Sequence, residues 1–271
     1  MESWRLIIHP PYPGAWNMAV DEAILESIIS GETRATLRLY DWQPFTLSLG
    51  LAQPFSDVDK QALDSRNWDI VRRPTGGRAI LHANELTYSI CALQNNPLVS
   101  GNVLESYRKL STGLLRGLQI AGVDVDSKPK DKAMLDSSGN PVCFQFPSDY
   151  EITHHGKKLI GSAQARRGLG ILQHGALPLN GDITRIVDVL AFPKEIDRQI
   201  AKEKLRQRAT TLSEIIQKAV NWQEIADFII KGFSEALNIS LEPNKLSLAE
   251  LKRAYAHYRD KYNNPQWTER I

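Results

Sequence analysis

This chain of 271 residues predicts an α+β fold in which helices flank a mixed, largely antiparallel sheet. Three observations carry that reading. Short β-prone segments with alternating apolar side chains cluster in the first two-thirds and succeed one another as hairpins would. Segments with apolar residues at helical spacing stand before, between and after them. Beyond Gly181 the strands give way to helices, so residues 1–271 read as a single domain with a helical C-terminal portion from about 182.

Taken in order, Trp4 to His9 alternates as a first strand, and Pro10 to Gly14 is a rigid turn. From Ala15 to Ser30, Met18, Ala19, Ala23, Ile24, Leu25 and Ile28 mark a helix that Gly31 stops. Asn17 and Asp21 share a face of it, and an exposed pair is the favoured reading. Thr36 to Tyr40 and Thr46 to Leu49 read as a strand pair about Asp41-Trp42-Gln43-Pro44, followed by a short helix from Val58 to Arg66. Asp69 to Val71 and Leu86 to Leu93 are strands on either side of a loop, and Val103 to Gly122 is a helix. Ser127 to Pro141, with two prolines and Ser138-Gly139-Asn140, is expected to be a mobile loop. Val142 to Phe146 and Asp149 to Thr153 read as extended; His155-Gly156 turns, with His154 and His155 exposed, and Lys157 to Arg166 runs back as a hairpin strand before Ile171 to Leu179. Then come helices at Ile183–Leu190, Lys194–Arg208 (charged and solvent-facing), Leu212–Lys218 capped by Thr211 or Ser213, Trp222–Leu237 and Leu248–Tyr262.

Composition excludes several classes. At 42% hydrophobic and 24% charged the chain is an ordinary globular protein, and its net charge of +2 gives no electrostatic footprint for nucleic acid. No apolar run approaches the roughly 20 residues that span a bilayer. Met1-Glu2-Ser3-Trp4 does not open a secretory signal. Two distant cysteines, Cys91 and Cys143, make neither a disulfide framework nor a zinc site, which makes a reducing cytoplasm the simplest compartment. No Cys/His/Asp/Glu set has metal-ligand spacing, and no phosphate loop, dinucleotide fingerprint or Gly-x-Ser-x-Gly elbow is present.

The most informative stretch is the loop of Arg72, Arg73, Pro74, Thr75, Gly76, Gly77 and Arg78, running on to His82. Two adjacent glycines permit close approach of the backbone to a ligand, and three guanidinium groups with an imidazole surround them. The bland alternative is a turn with solvated arginines. Cys91 sits inside an apolar strand and reads as a small core hydrophobe. Cys143 begins Cys-Phe-Gln-Phe-Pro after a polar loop, and its residues alone leave open whether it reacts. In Lys157 to Gln164, strict alternation puts Lys158, Ile160, Ser162 and Gln164 on one face, and Leu159, Gly161 and Ala163 on the other. A strand lysine is normally solvated, so Lys158 by itself marks nothing.

Together, three motifs are more specific. Asn17-Met18-Ala19-x-Asp21-Glu22-Ala23, Arg72-Arg73-Pro74-Thr75-Gly76-Gly77-Arg78-Ala79-x-Leu81-His82 and Gly156-Lys157-Lys158-x-x-Gly161-Ser162-Ala163-Gln164 occur in that order. The chain thereby resembles the lipoate–protein ligase A and octanoyltransferase family over residues 4 to about 190, and more loosely beyond. The resemblance implies a catalytic domain of the biotin/lipoate protein ligase type. It implies that Arg72, Arg73, Thr75, Gly76, Gly77, Arg78 and His82, with Gly161, Ser162, Ala163 and Gln164, enclose a medium-chain acyl group.

Within that family the residues point to one branch. ATP-using ligases typically carry a third glycine where this chain has Arg78. This chain also has Cys143-Phe144-x-x-Pro147-Ser148-x-Tyr150-Glu151, resembling cysteine-dependent octanoyltransferases, in which the acyl-enzyme cysteine precedes the strand lysine by fifteen residues, as Cys143 precedes Lys158. The resemblance implies octanoyl transfer from octanoyl-acyl carrier protein, through a Cys143 thioester, to a lysine of lipoyl domains of 2-oxoacid dehydrogenases or of the glycine cleavage H protein. It implies no cofactor, metal, nucleic-acid or membrane partner, and a monomer. An ammonium about 4 Å from the thiol, at an effective dielectric near 20, favours thiolate by up to about 4 kcal/mol, giving Lys158 the role of electrostatic activator. The alternatives are an ATP-dependent lipoate–protein ligase, an octanoyl amidotransferase between lipoyl domains and a non-catalytic lipoyl-domain-binding protein.

Overall fold

The computed structural model describes residues 1–126 and 151–271. The readings placed on Ser127–Pro141, Val142–Phe146 and Cys143 lie outside the described residues, as do the first two positions of the Asp149–Thr153 segment. The chain runs β1 (Glu2–Ile8), α1 (Gly14–Ile29), β2 (Thr36–Tyr40), β3 (Thr46–Leu49), α2 (Lys60–Ser65), β4 (Asp69–Arg72), β5 (Ile80–His82), β6 (Glu85–Leu93) and α3 (Val103–Ile120). It resumes with β7 (Ile152–His154), β8 (Lys157–Arg167), β9 (Gly170–Pro178), a 3-10 helix at Ile183–Val189, α4 (Glu195–Arg208), α5 (Leu212–Ile216) and α6 (Trp222–Leu237). The last elements are β10 (Ile239–Pro243), α7 (Leu248–His257), a π-helical turn at Tyr258–Tyr262, and α8 (Pro265–Thr268).

Seven strands form one sheet in the order β10-β1-β2-β6-β9-β8-β7, and three form a second in the order β4-β3-β5. The large sheet is antiparallel from β2 to β7 and parallel where β1 meets β2 and β10. The mixed α+β reading therefore holds. Its strand pair about Trp42 does not: β2 joins the large sheet, whereas β3 joins β4 and β5. Alternation identifies strands but not their partners, and the Asp41–Phe45 connection carries the chain from one sheet to the other. Two strands were not anticipated. β5 is only three residues long at the end of the glycine loop, and β10 ends in Leu-Glu-Pro with little apolar patterning.

The large sheet is covered on both faces. On one, α3 and α6 cross closely because their contact is made of glycines: a Cβ on Gly232 would lie 2.2 Å from the Gly117 backbone nitrogen. Phe233 fills the space beside Gly113 and joins a core with Trp4, Leu37, Tyr88, Leu110, Leu159 and Ile160. Burying such side chains contributes about 1.5–3 kcal/mol each. On the other face α1 packs through Val20, Ile24 and Ile28 against Ile7, Cys91 and Leu172, and Ala254 of α7 joins this cluster. Arg5 of β1 and Glu250 of α7 form a buried two-point ion pair at 3.0 and 2.5 Å. α4 and the 3-10 helix cover the small sheet through Val187, Leu190, Ala201 and Leu205. Thr211, not Ser213, caps α5 in a box with Glu214, and that helix ends at Ile216. Among the described residues, no helix is long and apolar enough to cross a membrane.

Candidate functional site

The two sheets face each other across a pocket. β8 and β9 supply a wall of small residues, Gly161, Ala163, Gly175 and Ala176; Met18 of α1, Tyr40 and Trp42 supply bulk; Ile80, His82 and Arg73 close it from the small-sheet side. A wall without large side chains opposite a floor of large ones leaves an apolar slot.

Arg72 and Arg73, expected to make the loop cationic or else to be solvated, are both buried and bound inward. Arg72 donates to the carbonyls of Gly50 (2.9 Å), Gln53 (2.6 Å) and Thr268 (2.9 and 2.7 Å). Trp267 Nε1 returns a bond to the Arg72 carbonyl at 2.8 Å. α8 is thus tied to the base of the loop. Arg73 directs its guanidinium at five acceptors: Thr75 Oγ1, the Ser48 carbonyl and hydroxyl, and the carbonyls of Gly76 and Arg78. It holds the shape of the turn. Gly76 and Gly77 remain exposed and Arg78 half-buried. Gly77 has φ 96°, a backbone conformation that favours glycine.

Two carboxylate–imidazole–hydroxyl chains converge on Arg73. In one, His82 lies 2.7 Å from Glu85 through Nδ1 and 2.8 Å from Ser48 Oγ through Nε2, and its ring stacks on Trp42 at 3.9 Å. In the other, His174 Nε2 lies 2.7 Å from Thr75 Oγ1, and Nδ1 lies 3.5 Å from Asp21. Burial pushes the Asp21 carboxyl up, but the Arg38 guanidinium at 2.7 Å and the His174 bond outweigh it and hold the group below its ordinary value. Burial pushes His174 below its ordinary value against the pull of Asp21. Asn17 and Asp21, expected to be an exposed pair, are instead fully buried: Asn17 accepts from Arg38, and Asp21 accepts from Arg38, Tyr40 and Ser89. The i, i+4 spacing correctly put them on one face; it could not say that the face meets a buried arginine.

The lysine strand departs from simple alternation. Ile152 pairs with Ile160, but the next residue, Thr153, pairs with Lys158. Leu159 is the extra residue of a β-bulge, and both it and Ile160 enter the α3/α6 core. Across the bulge the parity reverses. Lys158 takes the face of Gly161 and Ala163, not that of Ser162 and Gln164. On that face it is only 3% exposed and donates to Glu151, itself 4% exposed, at 2.6 Å. Ser162 and Gln164 lie on the opposite side of the sheet. Ser162 accepts from Tyr88, and Gln164 donates to Ser106 and Gln173. The sites predicted on β8 therefore divide: Lys158, Gly161 and Ala163 face the pocket side, whereas Ser162 binds Tyr88 of β6 and Gln164 binds α3 and β9.

Cys91 is buried in the α1 face of the sheet, its thiol pushed well above its ordinary value by burial and then by Asp21. That leaves it without nucleophilic character at neutral pH. Glu22, Glu26 and His257 bring three ligand-type atoms within 4.8 Å of one another. Glu22 already binds Lys261 and Tyr262, so this cluster is an ion-pair knot fastening the C-terminal segment to α1. Sequence spacing missed it because His257 comes from a distant helix. Glu85, His174 and Glu151 were also missed; each is a polar residue inside or beside an apolar strand, a signal that does not name a partner.

Residues 13–234 match the lipoyl protein ligase A/B catalytic domain, and the chain belongs to that family. Its relatives include proteins named octanoyltransferase LipM. That of Brevibacillus brevis is 38% identical over the whole of both chains, that of Carboxydothermus hydrogenoformans 39% over the whole of both, and that of Bacillus subtilis 36% over 98% of each. In fold, the chain resembles the bi-partite lipoate protein ligase of Thermoplasma acidophilum, with TM-score 0.84 at 23% identity over 99% of this chain and 97% of the other. It also resembles an ATP-bound lipoate-protein ligase A, with TM-score 0.81 at 24% identity over 99% of each.

Proposed function

We propose that this chain is an acyltransferase that moves an octanoyl group from octanoyl-acyl carrier protein, through a thioester on Cys143, to a lysine of lipoyl domains. The observation that carries the reading is the buried Lys158–Glu151 pair on the pocket face of β8, beside the small-residue wall formed by Gly161 and Ala163. An apolar slot suits an alkyl chain, each buried CH₂ contributing about 0.8 kcal/mol. Full-length similarity to proteins named octanoyltransferase LipM selects the acyl group. The Cys143 thiolate attacks the donor thioester carbonyl and expels the carrier thiolate, which takes a proton. The acceptor lysine, having lost its own proton, then attacks the acyl-enzyme, and its nitrogen gives up a second proton to solvent as the amide forms and the thiolate is returned. Lys158 stabilises the thiolate at both ends of this cycle. Arg72, Arg73 and Thr75 shape the rim, while Gly76, Gly77 and Arg78 are the parts of the loop left open to a substrate. The chain acts as one catalytic unit, monomeric and cytoplasmic, with the C-terminal segment completing the edge of its sheet.

The test offers purified protein and an apo lipoyl domain two alternatives. One tube holds octanoyl-carrier protein without nucleotide; the other holds free octanoate or lipoate with ATP and magnesium. Modification in the first supports the transferase. Modification only in the second identifies a ligase.

A further inference from the structure

The bulge at Leu159 does more than turn Lys158 toward the pocket. It sets the ammonium against a carboxylate from the neighbouring strand, where strict alternation would have left the two on opposite faces. Ile152 faces the α3/α6 core, so Glu151 and Thr153 on either side of it face the pocket side with Lys158. The strand around Lys158 is closed on its outer side as well: its carbonyl accepts from Thr210 at 3.0 Å, and it bridges Ala209 in parallel. A lysine enclosed in this way tends to shed its proton, because burial disfavours the charged form. Neutral, it would no longer support a thiolate.

We propose that Glu151 is a positioning residue whose carboxylate keeps Lys158 a cation inside the closed site and aims its ammonium along the pocket face. This rests on the assignment of Lys158 as activator of Cys143. Other ionisable groups on elements meeting this strand include Asp126, whose backbone pairs with that of Thr153, Lys157 and His154 of the hairpin, His174 of β9, Arg208 at the end of α4, and Glu214 of α5, which accepts from Thr210 at 2.8 Å. Glu151 accepts from the Lys158 ammonium at 2.6 Å. The arrangement resembles in logic a nucleophile, a base and an orienting third group, with a lysine at the centre and a carboxylate behind it.

The test follows Lys158 directly, by the pH titration of its ¹³Cε resonance in lysine-labelled protein, assigned by its loss in Lys158→Arg. In Glu151→Gln the resonance should titrate about one pH unit or more below wild type. The alkaline limb of octanoyl transfer should move down with it. Glu151→Asp, which keeps the charge, should restore most of both shifts, and it serves as the readout if the glutamine variant does not fold. An unchanged Lys158 titration in folded Glu151→Gln overturns the proposal. So does a fall in activity that is equal at all pH values, the mark of a merely structural contact. If wild-type protein forms no acyl adduct on Cys143, the parent assignment fails instead, and the resonance still reports separately on Glu151.

Discussion

The glycine loop and the lysine strand carry cations of opposite character. Arg72 and Arg73 sit among backbone carbonyls and hydroxyls, so their charge is spent on holding the chain in one conformation. Lys158 meets a carboxylate on the pocket face, in a pair whose two members can each exchange a proton. A guanidinium does not give up its proton in a protein, whereas a buried ammonium does so readily. The first kind of cation builds a scaffold and the second tunes chemistry. The comparison predicts that removing the arginines damages the fold, and that removing the lysine damages the reaction while sparing the fold.

The largest effect expected on that basis comes from Arg73→Ala. Losing five donations leaves Ser48, Thr75 and two loop carbonyls without their partner, at a cost of roughly 3–5 kcal/mol of stability. Urea unfolding measures it, and a loss below about 1 kcal/mol would mean that the loop holds itself without the arginine. Next, Ala163→Leu should fill the slot beside Gly161, leaving the melting temperature within a few degrees of wild type. The KM for an octanoyl donor should rise by about tenfold, from the loss of one or two CH₂ contacts, while that for a butanoyl donor changes less. Equal effects on both chain lengths would put the acyl group elsewhere.

The smallest effect is a slope of stability with pH. Burial, with help from Arg38, lowers His9 from 6.5 to about 3. As pH falls through that window the unfolded chain binds this proton first, so stability is lost on acidification. Asp41 acts in the opposite sense. Burial raises it to about 6, the folded chain takes its proton first, and its contribution grows as pH falls from about 6 toward the ordinary carboxylate range. His9→Asn should therefore reduce the loss of stability between pH 7 and pH 5 by up to about one proton's worth of slope. Parallel slopes would remove His9 from the account.

The same contrast explains what the amino-acid pattern reveals. Helices α3 and α6 are legible because each buries one face, and that imprints a period; α1, β6 and β9 are buried on nearly every side, so their apolar content marks them more than their period. The family motifs locate the loop and β8. The pairing of β3, the three residues of β5 and the direction of Lys158 are not legible. Each depends on a partner distant in the chain, or on a single inserted residue that reverses the parity of a strand. Asp21 and His174 share that cause: a polar side chain in an apolar element announces burial with a partner, but the partner's identity is a property of the folded chain.

The most direct measurement is the mass of the protein after incubation with octanoyl-carrier protein and no nucleotide, followed by peptide mapping. One octanoyl adduct on the peptide holding Cys143 is the predicted result, absent in Cys143→Ala and formed about 100-fold more slowly in folded Lys158→Ala, the effect of losing roughly 3 kcal/mol of thiolate stabilisation. An adduct that maps to Cys91, or that persists in Cys143→Ala, would contradict the account.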